Sequence, residues 1–300
     1  MCETCGCSEG VEVKMTHPQE GRSPIMMDGL QAHSHPHGPA DSHEHSHHHH
    51  EHGHEHHNNT HDHIHDEQGR VIPLGTHLLA KNDQLAAENR AWFAEQRICV
   101  LNFVSSPGSG KTALLEKTLS DLKGELPIAV VEGDQATLHD AERIRATGCE
   151  VIQINTGTGC HLEADMLRRG VDQLRLQESS LLFAENVGNL VCPALFDLGE
   201  WAKVVILSVT EGEDKPLKYP HMFRAAQLML LNKVDLLPYL QFDLERCLEA
   251  ALEINPTLKI LQVSATTGEV VVRLGSTAAG KFAKSCFRSL LVRSSAQNFE

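Results

Sequence analysis

An apolar run at residues 98–105 leads directly into Ser105-Ser106-Pro107-Gly108-Ser109-Gly110-Lys111-Thr112, and a helical pattern begins at the last of these residues. A strand, a glycine-containing loop and a helix in that order form a phosphate cradle. The glycines let backbone N–H groups wrap an anion, and the helix N-terminus faces it with positive partial charge. Pro107, Gly108, Ser109 and Gly110 would surround the phosphates. Lys111 would set a point charge against the terminal ones, and Thr112 would offer its hydroxyl to Mg2+. The first glycine of the usual pattern is replaced by Ser105.

This loop opens a regular alternation. Strand-length apolar runs at 98–105, 128–132, 151–154, 181–184, 204–209, 228–231 and 260–263 are separated by helical patterns at 112–123, 138–147, 162–176, 220–226 and 243–254. Such alternation predicts an α/β fold, a doubly wound and mostly parallel sheet with crossover helices. The domain spans 98–269. An amphipathic helix over 71–97, with Leu78, Leu79, Leu85, Trp92 and Phe93 as its apolar positions, leads into it, and an atypical tail over 270–300 follows. The overall apolar share is 41%, with most of the polar excess before residue 70. Residues 1–70 lack apolar periodicity and read as a disordered, cysteine- and histidine-rich metal-binding tail.

Two further motifs select the nucleotide. The run 228–231 ends in Asn232-Lys233-Val234-Asp235. The Asp235 carboxylate can accept from both the ring N–H and the exocyclic amine of guanine, a donor pair that adenine lacks. Ser264-Ala265, just past the last strand, fits a third base-contacting loop. GTP is therefore expected over ATP. Asp134 and Glu185 lie at strand carboxyl ends, where open α/β sheets place ligands, and are read as the acids facing Mg2+ or the attacking water. The alternative for each is a solvated loop acid.

A net charge of −14 without a basic stripe argues against nucleic acid as a partner. The chain has no apolar run of membrane-spanning length and no secretory-signal pattern, so a cytoplasmic protein without membrane association is expected. In that compartment the nine cysteines are thiols or metal ligands rather than disulfides.

Three features suit metals. Cys2, Cys5 and Cys7 stand at the chain start as Cys-x-x-Cys-Gly-Cys, with no second Cys-x-x-Cys nearby. Three thiolates with the terminal amine could form a planar Ni2+ site, whereas Zn2+ prefers a tetrahedron. A redox dithiol is the plainer reading. Between His33 and His65 the histidines interleave with acids, and neither Lys nor Arg occurs over 23–69, so borderline metals would be attracted in general. Cys160-His161 sits in a turn after the run 151–154, and Cys192 follows the loop opened by Glu185. One metal bridging the two loops could sense the nucleotide, with a second subunit completing its coordination. Buried structural cysteines are the alternative, and Cys99, Cys149, Cys247 and Cys286 fit that reading better.

These residues carry a resemblance. The chain is similar to the HypB family, the nickel-incorporation GTPases of nickel–iron hydrogenase maturation, over Cys-x-x-Cys-Gly-Cys, the histidine tract, and continuously over about 102–269. Specific stretches include Glu132-Gly133-Asp134-Gln135, Gly159-Cys160-His161-Leu162, and residues 185–193, 208–222 and 231–240. The resemblance implies a P-loop GTPase of the SIMIBI type, a GTP-dependent homodimer, a HypA-type nickel chaperone as partner, and delivery of nickel to the hydrogenase large-subunit precursor. It implies a tight nickel site at Cys2, Cys5 and Cys7, and a nucleotide-linked site for nickel or zinc at Cys160, His161 and Cys192. The match departs at Thr158, where the family usually has lysine, and breaks after Glu269, which points to a change of reading frame over 270–300. The rival functions are a nickel or zinc store, and a GTPase maturing another metalloenzyme such as urease.

Overall fold

The computed structural model describes residues 14–16, 63–65, 71–134, 139–268 and 270–273. The readings placed on Cys2, Cys5, Cys7, most of the histidine tract, Cys286 and residues 274–300 lie outside the described residues. The main elements are α1 (Leu74–Glu95), β1 (Cys99–Ser105), α2 (Lys111–Asp121), β2 (Ile128–Asp134), α3 (His139–Ala146), β3 (Glu150–Asn155), α4 (Ala164–Val171) and β4 (Leu181–Gly188). They continue with β5 (Ala202–Ser208), α5 (Lys215–Lys218), α6 (Pro220–Ala225), β6 (Leu228–Asn232), α7 (Leu244–Ile254), β7 (Lys259–Val263) and β8 (Val270–Arg273).

The strands lie in the order β3-β2-β4-β1-β5-β6-β7, all parallel. Antiparallel strands complete the two edges, Lys14–Thr16 beside β3 and β8 beside β7. The doubly wound parallel sheet read from the alternation is therefore the observed one. β8 carries the first residues of the segment read as an atypical tail. Among the described residues no helix is long and apolar enough to cross a membrane.

Both faces of the sheet are covered, so the strands are apolar at successive positions. Leu101, Phe103, Val130 and Phe183 pack on one face with Leu114 and Leu115 of α2 and Ile144 of α3. On the other face Val100, Val131, Ile152 and Leu182 meet Phe93 of α1 and Leu167 of α4. Farther along that face, Val205, Met229 and Ile260 meet Met222 and Phe223 of α6 and Leu248 of α7. Phe103 and Phe183 pack edge to face, with ring centroids 5.1 Å apart.

Three expectations are corrected by tertiary contacts. The helix read over 162–176 is only Ala164–Val171. Leu162 is tied into the preceding loop instead, since its N–H donates to Asn186 Oδ1 at 3.0 Å. Its side chain also fills the space left by Gly133, where a Cβ would come within 2.7 Å of Leu162 Cγ. The strand read over 181–184 continues to Gly188, because Glu185 and Asn186 are buried polar residues with internal partners.

The buried side of α1 is not the leucine stripe. Leu78 is 40% exposed, whereas Asn82, Ala86, Asn89 and Phe93 are buried. The spacing is helical, but half the stripe is carboxamide. Asn82 Nδ2 donates to the Asp197 carbonyl at 2.7 Å, and its Oδ1 accepts from Ala164 N at 2.9 Å. Asn89 Nδ2 donates to the carbonyls of Ala164 at 2.8 Å and Leu198 at 3.1 Å. Replacing Asn89 by Leu leaves buried carbonyls without their donor. Urea unfolding is expected to show a loss of about 1–3 kcal/mol with an unchanged denaturant slope.

Candidate nucleotide and metal site

The carboxyl ends of the parallel strands bring the polar motifs to one edge, as open α/β sheets do. β1 ends at Ser105, and α2 begins at Lys111. The turn between them requires left-handed backbone at Gly108 (φ 78°) and Gly110 (φ 88°), which glycine adopts without strain. Gly110 is also pressed from the side, since a Cβ there would lie 2.6 Å from Asn232 Nδ2.

That neighbour explains what the Asn-Lys-x-Asp segment does for the loop. Asn232 Nδ2 donates to the Ser109 carbonyl at 2.9 Å, and Lys233 Nζ donates to the Gly108 carbonyl at 2.8 Å. Lys233 itself adopts φ 62°, a left-handed conformation uncommon outside glycine and asparagine. Asn232 Oδ1 accepts from Ala265 N at 3.3 Å, which ties in the Ser264-Ala265 loop. Ser264 is buried, and its Oγ accepts from Thr267 N. Asp235 Oδ1 is buried with no hydrogen-bond partner. The two motifs read separately from the sequence are thus one hydrogen-bonded unit.

Glu185 lies at the centre of the charged groups. Thr112 Oγ1 donates to Glu185 Oε1 at 2.7 Å, and Lys111 Nζ lies 3.4 Å from the same oxygen. Glu185 Oε2 is buried without a hydrogen-bond partner. Asp134 closes β2 and is half-buried. Its carbonyl accepts from Thr156 N at 2.9 Å, which sets the turn after β3.

The residue missed by motif reading is Glu132, the register partner of Glu185 on the adjacent strand and 2% exposed. Burial, reinforced by the neighbouring charges of Glu185, Asp134 and Asp140, pushes its carboxyl up to about 9. The available signal was an acid closing an otherwise apolar run, Ile128 to Val131.

Two thiols and an imidazole from separate loops converge in space. Cys160, His161 and Cys192 are all buried, with ligand atoms within 4.8 Å of one another. Cys160 Sγ and His161 Nδ1 are 3.7 Å apart. His161 Nε2 is buried without a hydrogen bond, 3.7 Å from Glu163 Oε1. Neither loop is regular, apart from a 3-10 turn at Cys192–Ala194. Of the other cysteines, Cys99 and Cys247 are buried in the core, whereas Cys149 is half-buried.

Two contacts link this cluster to the phosphate loop. A Cβ on Gly188 would meet Pro107 Cγ at 3.1 Å, so the end of β4 lies directly against the loop. The next residue, Asn189, donates from Nδ2 to the Cys160 carbonyl at 3.3 Å. The polypeptide from Glu185 to Cys192 therefore touches both sites.

A family model for the nucleotide-binding domain of CobW/HypB/UreG matches residues 99–262. The hydrogenase maturation factor HypB of Escherichia coli (strain K12) is 61% identical over 202 residues, covering 67% of this chain and 70% of that protein. The chain belongs to the HypB family. A HypB from Azotobacter chroococcum mcd 1 is 49% identical over 291 residues, covering 90% of this chain and 88% of that protein. Among solved structures, HypB from Helicobacter pylori in complex with nickel aligns with a TM-score of 0.61 at 38% identity, covering 73% of this chain and 97% of that one. The resemblance to HypB read from the sequence is therefore borne out. The phosphate loop described above lies within the matched nucleotide-binding domain.

Glu132 makes a pH dependence that can be checked without ligands. Its native carboxyl titrates at about 9 against an ordinary value of 4.5, so the native state holds the extra proton between those limits. The Glu132 contribution to stability is therefore expected to fall as pH rises from about 4.5 towards 9. Denaturation of metal- and nucleotide-free protein across that range should show the decline, and Glu132→Gln should flatten it.

Proposed function

We propose that this chain is a GTP-hydrolysing nickel metallochaperone that inserts nickel into the hydrogenase large-subunit precursor in the cytoplasm. It works as a GTP-dependent homodimer with a HypA-type chaperone. The observation that carries this reading is the buried Cys160–His161–Cys192 cluster, reached from the phosphate loop through Gly188 and Asn189. The nickel-bound Helicobacter pylori HypB supports nickel as the cargo. The tail cysteines Cys2, Cys5 and Cys7 are a second nickel site in this reading, and the histidine tract a reservoir.

The chain's own groups suit phosphoryl transfer, which depends on positioning and charge neutralisation. Backbone N–H groups of Gly108 to Thr112 cradle the phosphates, and Lys111 sets its ammonium at the terminal ones. Asp235 takes the guanine N–H pair, which gives its buried, unpartnered Oδ1 a role. Mg2+ fits beside Thr112, Asp134 and Glu185, since Glu185 Oε2 is a buried carboxylate oxygen without a donor. Mg2+ held by these residues would supply positive charge to offset that of the phosphates. Glu185 holds the Thr112 hydroxyl and the Lys111 ammonium at one oxygen, and in this reading Asp134 orients the attacking water.

The cluster offers two thiols and one imidazole, a donor set suited to nickel or zinc. Four-coordination would need one further donor, which a partner subunit could supply. Any change at Gly188 that accompanies loss of the terminal phosphate passes through Asn189 to the Cys160 loop and through the chain itself to Cys192.

Nickel and zinc affinities with GDP and with a non-hydrolysable GTP analogue test this reading. The two states are expected to differ by about 5–150-fold, the span of ordinary coupling energies. Cys160→Ala should abolish the difference, whereas a Cys2/Cys5/Cys7 triple variant should keep it. Equal affinities in both states would sink the coupling. Independently, Asp235→Asn should weaken GTP at least about 100-fold, since bonds to a charged acceptor are worth roughly 1.5–3 kcal/mol each.

A further inference from the structure

Lys203 is 5% exposed within β5, an unusual place for an ammonium group. A buried cation has to be matched by fixed acceptors. Lys203 Nζ donates to the carbonyls of Pro193 at 2.7 Å and Phe196 at 3.0 Å, and lies 3.7 Å from Glu200 Oε1. The two carbonyls accept two of the three ammonium protons, and the Glu200 carboxylate balances the charge at ion-pair distance. Pro193 directly follows Cys192. Phe196 lays its ring on the His161 imidazole, with centroids 3.9 Å apart at 33°. One cation therefore anchors both ends of a segment that begins beside a thiol and ends against the imidazole.

The same pair reaches the other loop. Glu200 Oε1 accepts from Asn102 Nδ2 at 3.1 Å, and Asn102 Oδ1 accepts from Asn186 Nδ2 at 3.2 Å. Asn186 Oδ1 in turn accepts from Leu162 N, the residue after His161. Glu200 Oε2 accepts from Leu198 N at 2.7 Å. Burial holds the Glu200 carboxyl above its ordinary range, and the Lys203 charge opposes that shift. Loops without regular structure cannot by themselves set ligand positions, which fall to buried outer partners.

We propose that Lys203 is a positioning residue for the Cys160–His161–Cys192 centre, placing Cys192 and the Phe196 wall of His161 through the backbone of the 193–196 segment. The proposal rests on the reading of this cluster as a metal site. It assigns to Lys203, paired with Glu200, the preorganisation of ligands contributed by two separate loops. A purely structural lysine would stabilise the domain without affecting the metal.

The test uses the full chain with Cys2, Cys5 and Cys7 changed to Ser, titrated with Co2+ and Ni2+ while thiolate-to-metal charge-transfer absorption is followed. That band excludes the histidine tract, which has no thiol. The background protein should give the band, and Cys192→Ser should remove it. Absence of the band in the background overturns the metal reading itself, and this proposal with it. With the band present, Lys203→Met combined with Glu200→Gln should weaken metal about 10–100-fold and shift the band, while GDP affinity is retained. Lys203→Arg, which keeps a cationic donor, should recover part of the loss. Unchanged affinity and band in the double variant overturn the proposal. If that variant no longer holds GDP, Phe196→Leu decides, because it removes only the wall against His161. Weaker metal and a shifted band support the proposal, and an inert Phe196→Leu overturns it.

Discussion

Buried polar groups at the carboxyl edge of a parallel sheet must find partners inside the protein, and this chain meets that demand with a continuous set of side-chain bonds. Glu185 gathers the Thr112 hydroxyl and the Lys111 ammonium at one oxygen. One residue on, Asn186 holds Asn102 on one side and the Leu162 amide on the other. The strand that carries them is therefore buried from Leu181 to Val187. The phosphate loop and the thiol loops are both built against it.

Proximity of the two candidate sites follows from this economy of structure. β4 lies between β1 and β2, so its exit passes the phosphate loop before turning towards Cys192. Gly188 permits that approach, because a side chain there would press on Pro107. The acidic strand β2 approaches the same region from the other side. Gly133, between Glu132 and Asp134, leaves room for Leu162 beside His161. A close-packed interior of this kind transmits displacement rather than absorbing it. The proposed coupling between nucleotide and metal needs no distant lever.

The phosphate loop, Asn232-Lys233-Val234-Asp235 and the strand order of motifs were readable in the sequence because each depends on local chemistry in a local context. The pairing of Cys160-His161 with Cys192 was readable only as a possibility to be met by folding, and the fold brings them together. Glu132 escaped notice because its significance comes from a neighbour 53 positions away in register, Glu185. Asn82 and Asn89 escaped for a similar reason. Helical periodicity weighs apolar residues, while these carboxamides are buried to satisfy the backbones of Ala164, Asp197 and Leu198.

The sequence by itself determined the fold class, the phosphate cradle and the family, since apolar alternation and contiguous motifs are properties of neighbouring residues. It also marked which thiols and imidazole suit a metal. The tertiary structure alone decided the length of β4, the late start of α4, the buried Glu132–Glu185 pair and the Lys203–Glu200 frame around the cluster. Each of these depends on buried polar groups whose partners the fold brings in from other segments of the chain. Whether such a group is costly or stabilising depends on what the fold sets beside it, and no local pattern records that.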